Sequence, residues 1–290
     1  MQNKGNKWLY LLILSVIWGS SFILMKKALI GLNPFQMGAL RIIFTAFFLF
    51  TVGFKKIQNV QKADWKWIVL TALAGSFFPP FFFAFAQTEI DSSIAAILNS
   101  LTPLNTTILG TFLFGVTILK RQWFGVLIGF AGTAILIING ATFNPNHDYW
   151  YSLLILAASL CYAMNINMLK KYLQHLGSLT IATANFMVIL VPAILVLIST
   201  GFFDTITSNT SMQRSLVYVI VLALFGTALA KVLFNKLIAI STPVFASSVT
   251  YTMPLMAIFW GLLDGESLSF FQLFGGAIIL FGVYLANKSK

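Results

Sequence analysis

The residues of this sequence that could do chemistry are polar groups set inside long apolar segments, and the chemistry they suit is binding. Lys231 lies in the apolar segment Leu216 to Leu237, roughly 10 Å from its nearer end at 1.5 Å per helical residue. An ammonium at that depth either snorkels to the surface along its own stem or faces a polar cavity and attracts a carboxylate or phosphate. Asn99, Thr250 and neighbouring Tyr251 are expected in such a cavity, because an Asn facing hydrocarbon is costly. Trp18 and Ser21 in the first apolar segment and Tyr162 and Asn165 in the sixth occupy roughly matching places and are assigned to the same cavity.

Two prolines add a mechanical element. Pro103 and Pro254 fall in mid-segment, so each removes an N–H, frees a carbonyl one turn earlier and kinks its helix. A static kink and a hinge are equally open readings. Arg41 is comparably deep in the second segment, but the corresponding position later in the chain is Asn185, so Arg41 reads as structural, bonding helix-end carbonyls. The phenylalanines around Pro79 and Pro80 read mostly as lipid-facing bulk, with one or two rings left for an aromatic wall.

Catalytic constellations are missing. Glu89, Asp91, Asp264 and Glu266 lie near segment ends, and His147 and His175 fall in loops. The sequence has no close Ser–His or Asp–Asp arrangement, no HExxH and no Walker loop. Cys161 is the single cysteine, which rules out a disulfide framework and a Cys/His metal cluster. Neither cofactor nor metal is expected.

The elements that position these groups follow from composition. The chain has 290 residues, 59% apolar and 9% charged, against roughly a quarter charged in soluble domains. Its mean hydropathy is +0.90. Apolar runs near twenty residues cross about 30 Å of hydrocarbon as helices, and only helices or closed barrels satisfy the backbone there. The expected spans are Trp8–Ile30, Pro34–Phe54, Trp67–Thr88, Ser92–Phe114, Trp123–Asn139, Trp150–Leu169, Leu179–Thr200, Leu216–Leu237, Pro243–Leu263 and Phe270–Ala286, ten in all. The first span lacks a small-residue cleavage site and is read as retained.

Charge sets the expected orientation. With the N-terminus inside, Lys4, Lys7, Lys55, Lys56, Lys62, Lys66, Lys120, Arg121, Lys170, Lys171, Lys236, Lys288 and Lys290 fall on the cytoplasmic side, and only Lys26, Lys27 and Arg214 fall outside, as the positive-inside rule requires. Both termini are then cytoplasmic. The excess of 18 basic over 7 acidic residues sits in loops, so anionic lipid headgroups rather than nucleic acid are the expected partner.

Self-comparison reveals a repeat. Gly75 to Pro103 lies over Gly226 to Pro254 at an offset of 151, and Gln122, Phe124, Gly125, Ile128 and Gly132 meet Gln272, Phe274, Gly275, Ile278 and Gly282 at an offset of 150. Two repeats, residues 1–145 and 146–290, each with five spans, must insert in opposite senses. The expected fold is an all-α integral membrane protein with ten transmembrane helices in two inverted five-helix repeats around a central cavity. The GxxxG of Gly125 and Gly129 and its counterpart at Gly275 and Gly276 mark close helix contact, within one chain or between two; a monomer is expected, with a homodimer open.

The run Leu-Ile-Leu-Ser-Val-Ile-Trp-Gly-Ser-Ser-Phe in the first span, Pro34 followed by Arg41, the prolines at 103 and 254, and Gly265-Glu266-Ser267-Leu268 together resemble the EamA-type branch of the drug/metabolite transporter superfamily. The resemblance covers nearly the whole chain. It implies an inner-membrane carrier, with a cavity lined by spans one, three, four, six, eight and nine and with spans five and ten as outer support. One departure concerns Glu266, whose place in the first half is taken by Gly115-Val116-Thr117. If that acid serves a gate, the two gates are unequal. The expected function is secondary transport, in the export direction, of small polar metabolites such as amino acids by alternating access. A multidrug or organic-cation exporter is the alternative, and an intramembrane enzyme or a non-transporting membrane partner are alternatives of another class.

Overall fold

The protein is described by a computed structural model covering residues 2–115, 120–143, 147–207 and 209–287. Val116, Thr117, Lys288, Lys290 and the expected repeat boundary at 145/146 lie outside the described residues, as does the side chain of Lys4. All regular structure among the described residues is helical.

In chain order the helices are α1 (Gln2–Ala28), α2 (Pro34–Gly53), α3 (Trp65–Ala72), α4 (Phe78–Ala86), α5 (Ser92–Asn99), α6 (Thr102–Phe114), α7 (Lys120–Phe143), α8 (Ser152–Tyr172), α9 (Ser178–Ser199), α10 (Phe202–Thr205), α11 (Thr210–Val221), α12 (Ala230–Ile240), α13 (Pro243–Ser247), α14 (Val249–Leu263) and α15 (Phe270–Asn287). A π-helical segment, Leu73–Phe77, joins α3 to α4, and a second, Leu222–Leu229, joins α11 to α12. Counted with these joins, eight helical stretches among the described residues are long and apolar enough to cross a membrane, and Phe270–Leu285 is a shorter apolar helix.

The expected fourth span is two helices. Pro103 cannot donate to the Asn99 carbonyl, and the Thr102 hydroxyl does so instead at 2.7 Å, closing the turn that separates α5 from α6. Pro254, its counterpart in the repeat, stays inside α14, and the corresponding break falls earlier, at Ser248 between α13 and α14. The prolines are therefore equivalent in sequence but not in local geometry. At the far end of α6 the chain turns on Gly115, whose φ of +74° favours a residue without a Cβ.

Large apolar side chains cover the outside as well as filling the core, and polar ones are buried among them. Phe47, Phe112, Trp150, Leu195, Leu255 and Phe270 expose their side chains, whereas Thr45, Ser92, Asn105, Thr183 and Ser247 are buried. Lipid tails stabilise the first set, and hydrogen bonding inside the bundle satisfies the second. For example, Asn105 Nδ2 donates to Ser159 Oγ at 2.6 Å. The glycine pattern of the fifth expected span is used within the chain. Packing of α7 on α15 is so close at Gly132 that a Cβ there would lie 2.8 Å from the Gly275 oxygen.

Candidate functional site: a cavity with two cations

An i→i+5 turn inserts a residue into the helical ladder and leaves carbonyls without their usual partner. Both π segments place such a carbonyl at equivalent glycines. The Gly75 carbonyl accepts from Lys231 Nζ at 2.9 Å, and the Gly226 carbonyl accepts from Trp18 Nε1 at 2.9 Å. Thr227, next in the second π segment, donates to the Leu222 carbonyl five residues back at 3.2 Å. Its hydroxyl also accepts from Arg41 Nε at 2.8 Å. Two irregular turns thus tie a lysine, an arginine and a tryptophan from three other helices to one place.

These groups line a cavity whose unfilled space, counted with the part open to solvent, is about 850 Å³. From α1 come Trp18, Ser21, Phe22 and Met25, from α2 comes Arg41, and from the first π segment and α4 come Gly75, Ser76, Pro80 and Phe83. The break between α5 and α6 contributes Asn99 and Thr102, α8 contributes Tyr162 and Asn165, and α13 and α14 contribute Ser247, Thr250 and Met253. The second π segment and α12 complete the wall with Thr227, Lys231 and Phe234. Aromatic rings interlock along it: Trp18 meets Phe234 edge-on at 4.8 Å, Phe22 meets Phe83 at 5.7 Å, and Tyr162 stacks on Phe83 at 6.1 Å.

Among the described residues no Asp or Glu lines the cavity, and Arg41 and Lys231 are 7% and 6% exposed. Two buried basic side chains facing one space without a carboxylate favour a negative group there.

Of the residues expected from sequence, Trp18, Ser21, Asn99, Tyr162, Asn165, Lys231 and Thr250 share this wall. Tyr251 is not among the lining residues, since one step along a helix turns the side chain by about 100° away from the Ser247–Thr250–Met253 stripe. Pro103 and Pro254 are buried but do not line it. Arg41, set aside as structural, does, as do Gly75, Ser76, Phe83 and Thr227. The pairing of Gly75 with Gly226 at the head of the repeat was the available signal for the two π segments. Helices α7 and α15 contribute nothing to the wall.

Away from the cavity, a charged clasp joins one end of α1 to the start of α5. Glu266, whose side chain is 1% exposed, accepts from the Ser92 amide and hydroxyl at 3.0 and 2.6 Å and from the Ser93 amide and hydroxyl at 3.1 and 2.6 Å. Lys26 Nζ reaches Glu266 at 2.9 Å and Asp264 at 3.1 Å, and Lys27 also pairs with Asp264. A carboxylate is thus seated on the N-terminus of α5, where unpaired amides and the helix dipole favour negative charge. Burial pushes the Glu266 carboxyl up, but hydrogen bonds from Ser92, Ser93 and Lys26 outweigh it and hold the group below its usual 4.5. Asp91 moves the other way, raised by burial and then by the Glu266 charge.

A bundle of apolar membrane-length helices around an internal cavity, largely apolar with a few polar and basic groups on its wall, defines a polytopic membrane protein with a candidate binding site. The chain belongs to the EamA-like transporter family, whose sequence profile matches residues 6–138 and again residues 149–288. It is 26% identical over 287 residues to the Escherichia coli (strain K12) protein named "Uncharacterized inner membrane transporter YedA", covering 97% of this chain and 90% of that one. It is 24% identical over 282 residues to the "Probable amino-acid metabolite efflux pump" of Salmonella typhimurium, covering 94% and 92%. A solved crystal structure shares the fold with a TM-score of 0.67 at 17% identity, covering 98% of this chain and 96% of that one.

Proposed function

We propose that the chain is a secondary carrier of the inner membrane that exports small anionic or zwitterionic metabolites, amino acids among them, by alternating access. The observation that carries this reading is the cavity wall, with Arg41 and Lys231 as buried basic side chains and no carboxylate among its described residues. An anionic group bound there finds two basic partners and no competing carboxylate in a low-dielectric setting. The family's membership and the name of the Salmonella relative support transport.

The architecture proposed for it is ten crossings in two oppositely inserted halves, with both termini cytoplasmic. In support, the family profile matches each half of the chain, and the π segments at Leu73–Phe77 and Leu222–Leu229 recur at the repeat offset. A site at the junction of two inverted halves can be presented to either side in turn. The organic-cation alternative has the aromatic wall in its favour, but the two cations oppose it. A hydrolytic or transferase reading lacks a nucleophile with an adjacent base on this wall.

Purified protein in sealed proteoliposomes tests the reading. Saturable flux of labelled amino acids is expected, and Lys231→Ala should lower the flux of anions and zwitterions about tenfold or more relative to that of a cation. Equal transport of all three charge classes by Lys231→Ala would refute the role of the lysine, and absence of flux would refute the carrier.

A further inference from the structure

The partner of Lys231 is a carbonyl that the main chain cannot fill. Along a helix the Gly75 carbonyl would be met by the amide of residue 79, four residues on, and in a π turn by that of residue 80, five residues on. Both positions are proline, which has no N–H. The amide of Phe78, one residue nearer, is taken by the Leu73 carbonyl. Gly75, Pro79 and Pro80 are buried, where an unpaired acceptor is costly, and Lys231 Nζ fills the vacancy at 2.9 Å. The second half of the chain has no such vacancy. At the repeat offset Pro79 and Pro80 fall on Ala230 and Lys231, and the Ala230 amide donates to the carbonyls of Phe225 and Thr227.

We propose that Pro79 and Pro80 are positioning residues for anion binding: by keeping the Gly75 carbonyl free of main-chain donors, they seat Lys231 Nζ on the cavity wall without giving it a counter-charge. This rests on the carrier reading above and names what fixes the charge selectivity of its site. A buried lysine needs a polar partner. A carboxylate in that place would hold the side chain but would also pair its charge and repel an anionic ligand. A carbonyl holds it through one N–H and leaves the others, with the need for a negative partner, to whatever enters the cavity. Gly75, Pro80 and Lys231 all line that space, and the other ionisable groups on its described wall are Arg41 and Tyr162. Arg41 is held in the same manner, its Nε on the neutral Thr227 hydroxyl at 2.8 Å. Both basic side chains are thus fixed by uncharged oxygens that π segments present.

Calorimetric titration of purified protein in detergent tests this with benzoate and benzamide, two probes of one shape that differ in charge. The wild type should bind benzoate about tenfold or more tightly than benzamide, and Lys231→Met should remove that preference. Pro79→Ala and Pro80→Ala each return an amide within reach of the Gly75 carbonyl, and each should lower the preference about tenfold, the size of one hydrogen bond to a charged group. In the Lys231→Met background either proline substitution should change it less than about twofold, because the cycle isolates effects that pass through the lysine. Should one proline variant fail to fold, the other gives the same readout, and the comparison of wild type with Lys231→Met needs neither.

A benzoate preference that is lost in Lys231→Met but survives both proline substitutions would overturn the positioning role and leave the anion-binding cavity standing. Proline substitutions that weaken benzoate and benzamide alike, or that act as strongly without the lysine as with it, would overturn it too, since they would then act on the fold and not through Lys231. No preference for benzoate in the wild type, or one that survives Lys231→Met, would overturn the role of the lysine and this proposal with it.

Discussion

The two ends of the bundle are closed by different physics. At one end, Glu266 gathers four hydrogen bonds from the first turn of α5 and an ion pair from Lys26, with Asp264 bridging Lys26 and Lys27. The other end holds Trp8 edge-on to Phe245 at 5.1 Å and the Ser15 hydroxyl against Thr252. There Lys170 Nζ donates to the carbonyls of Ile238 and Ala239 at 3.1 and 3.2 Å. A contact between His175 and Asp64 at 3.1 Å sits on its rim. Thus one end is bound by full charges around a buried carboxylate and the other by rings, hydroxyls and a cation resting on helix-end carbonyls. The clasp carries the carboxyls that its hydrogen bonds and ion pairs hold below their usual values.

The strongest way to break this contrast is to remove the carboxylate. Glu266→Ala leaves the amides of Ser92 and Ser93 without their acceptor and Lys26 with Asp264 alone. Leaving buried donors of this kind unpaired costs about 1–3 kcal/mol, a fall in melting temperature of about 2–6 °C in detergent for a chain of this size. Glu266→Gln keeps one acceptor oxygen and should fall between this variant and the wild type. A loss under about 1 kcal/mol for Glu266→Ala would mean that the clasp is incidental to closure.

Acid should reproduce part of that effect without a mutation. The Glu266 and Asp264 carboxyls are held below their usual 4.5 and 3.8, and a carboxyl depressed in the fold contributes stability above its unfolded value that is lost as pH falls through the folded one. Asp91 is raised, so its protonation on acidification offsets a portion of the loss. The melting temperatures of wild type and Glu266→Gln should therefore stand apart near neutrality and converge as pH drops below about 4.5. Parallel curves throughout that range would show that another group governs acid sensitivity.

The helical frame was legible in the sequence because span length is a signal that no tertiary contact has to complete. The same holds for the cavity's amides: an Asn at mid-depth has few alternatives to an internal wall, and Asn99 and Asn165 are there. What escaped reading depends on partners distant in sequence. The break after Asn99 is set by the Thr102 hydroxyl as much as by Pro103. Arg41 looked structural because its repeat counterpart is Asn185, which lies against Thr71 at 3.2 Å. Its actual partner, Thr227, sits in a π segment whose existence no periodicity announced. Tyr251 was placed by adjacency to Thr250, where helical rotation decides otherwise.

The smallest expected effect lies at the end without the clasp, and it sharpens the comparison most. Lys170→Met retains an apolar stem and removes only the ammonium from the Ile238 and Ala239 carbonyls. Those carbonyls belong to the last turn of α12, where a cation is favoured by the helix dipole, yet the site is partly open and water can replace the donor. A loss of about 0.5–1 kcal/mol is expected, with no convergence toward wild type on acidification because no carboxylate is involved. A Lys170→Met loss as large as that of Glu266→Ala would place the two closures on the same footing and remove the asymmetry from which the acid response is derived.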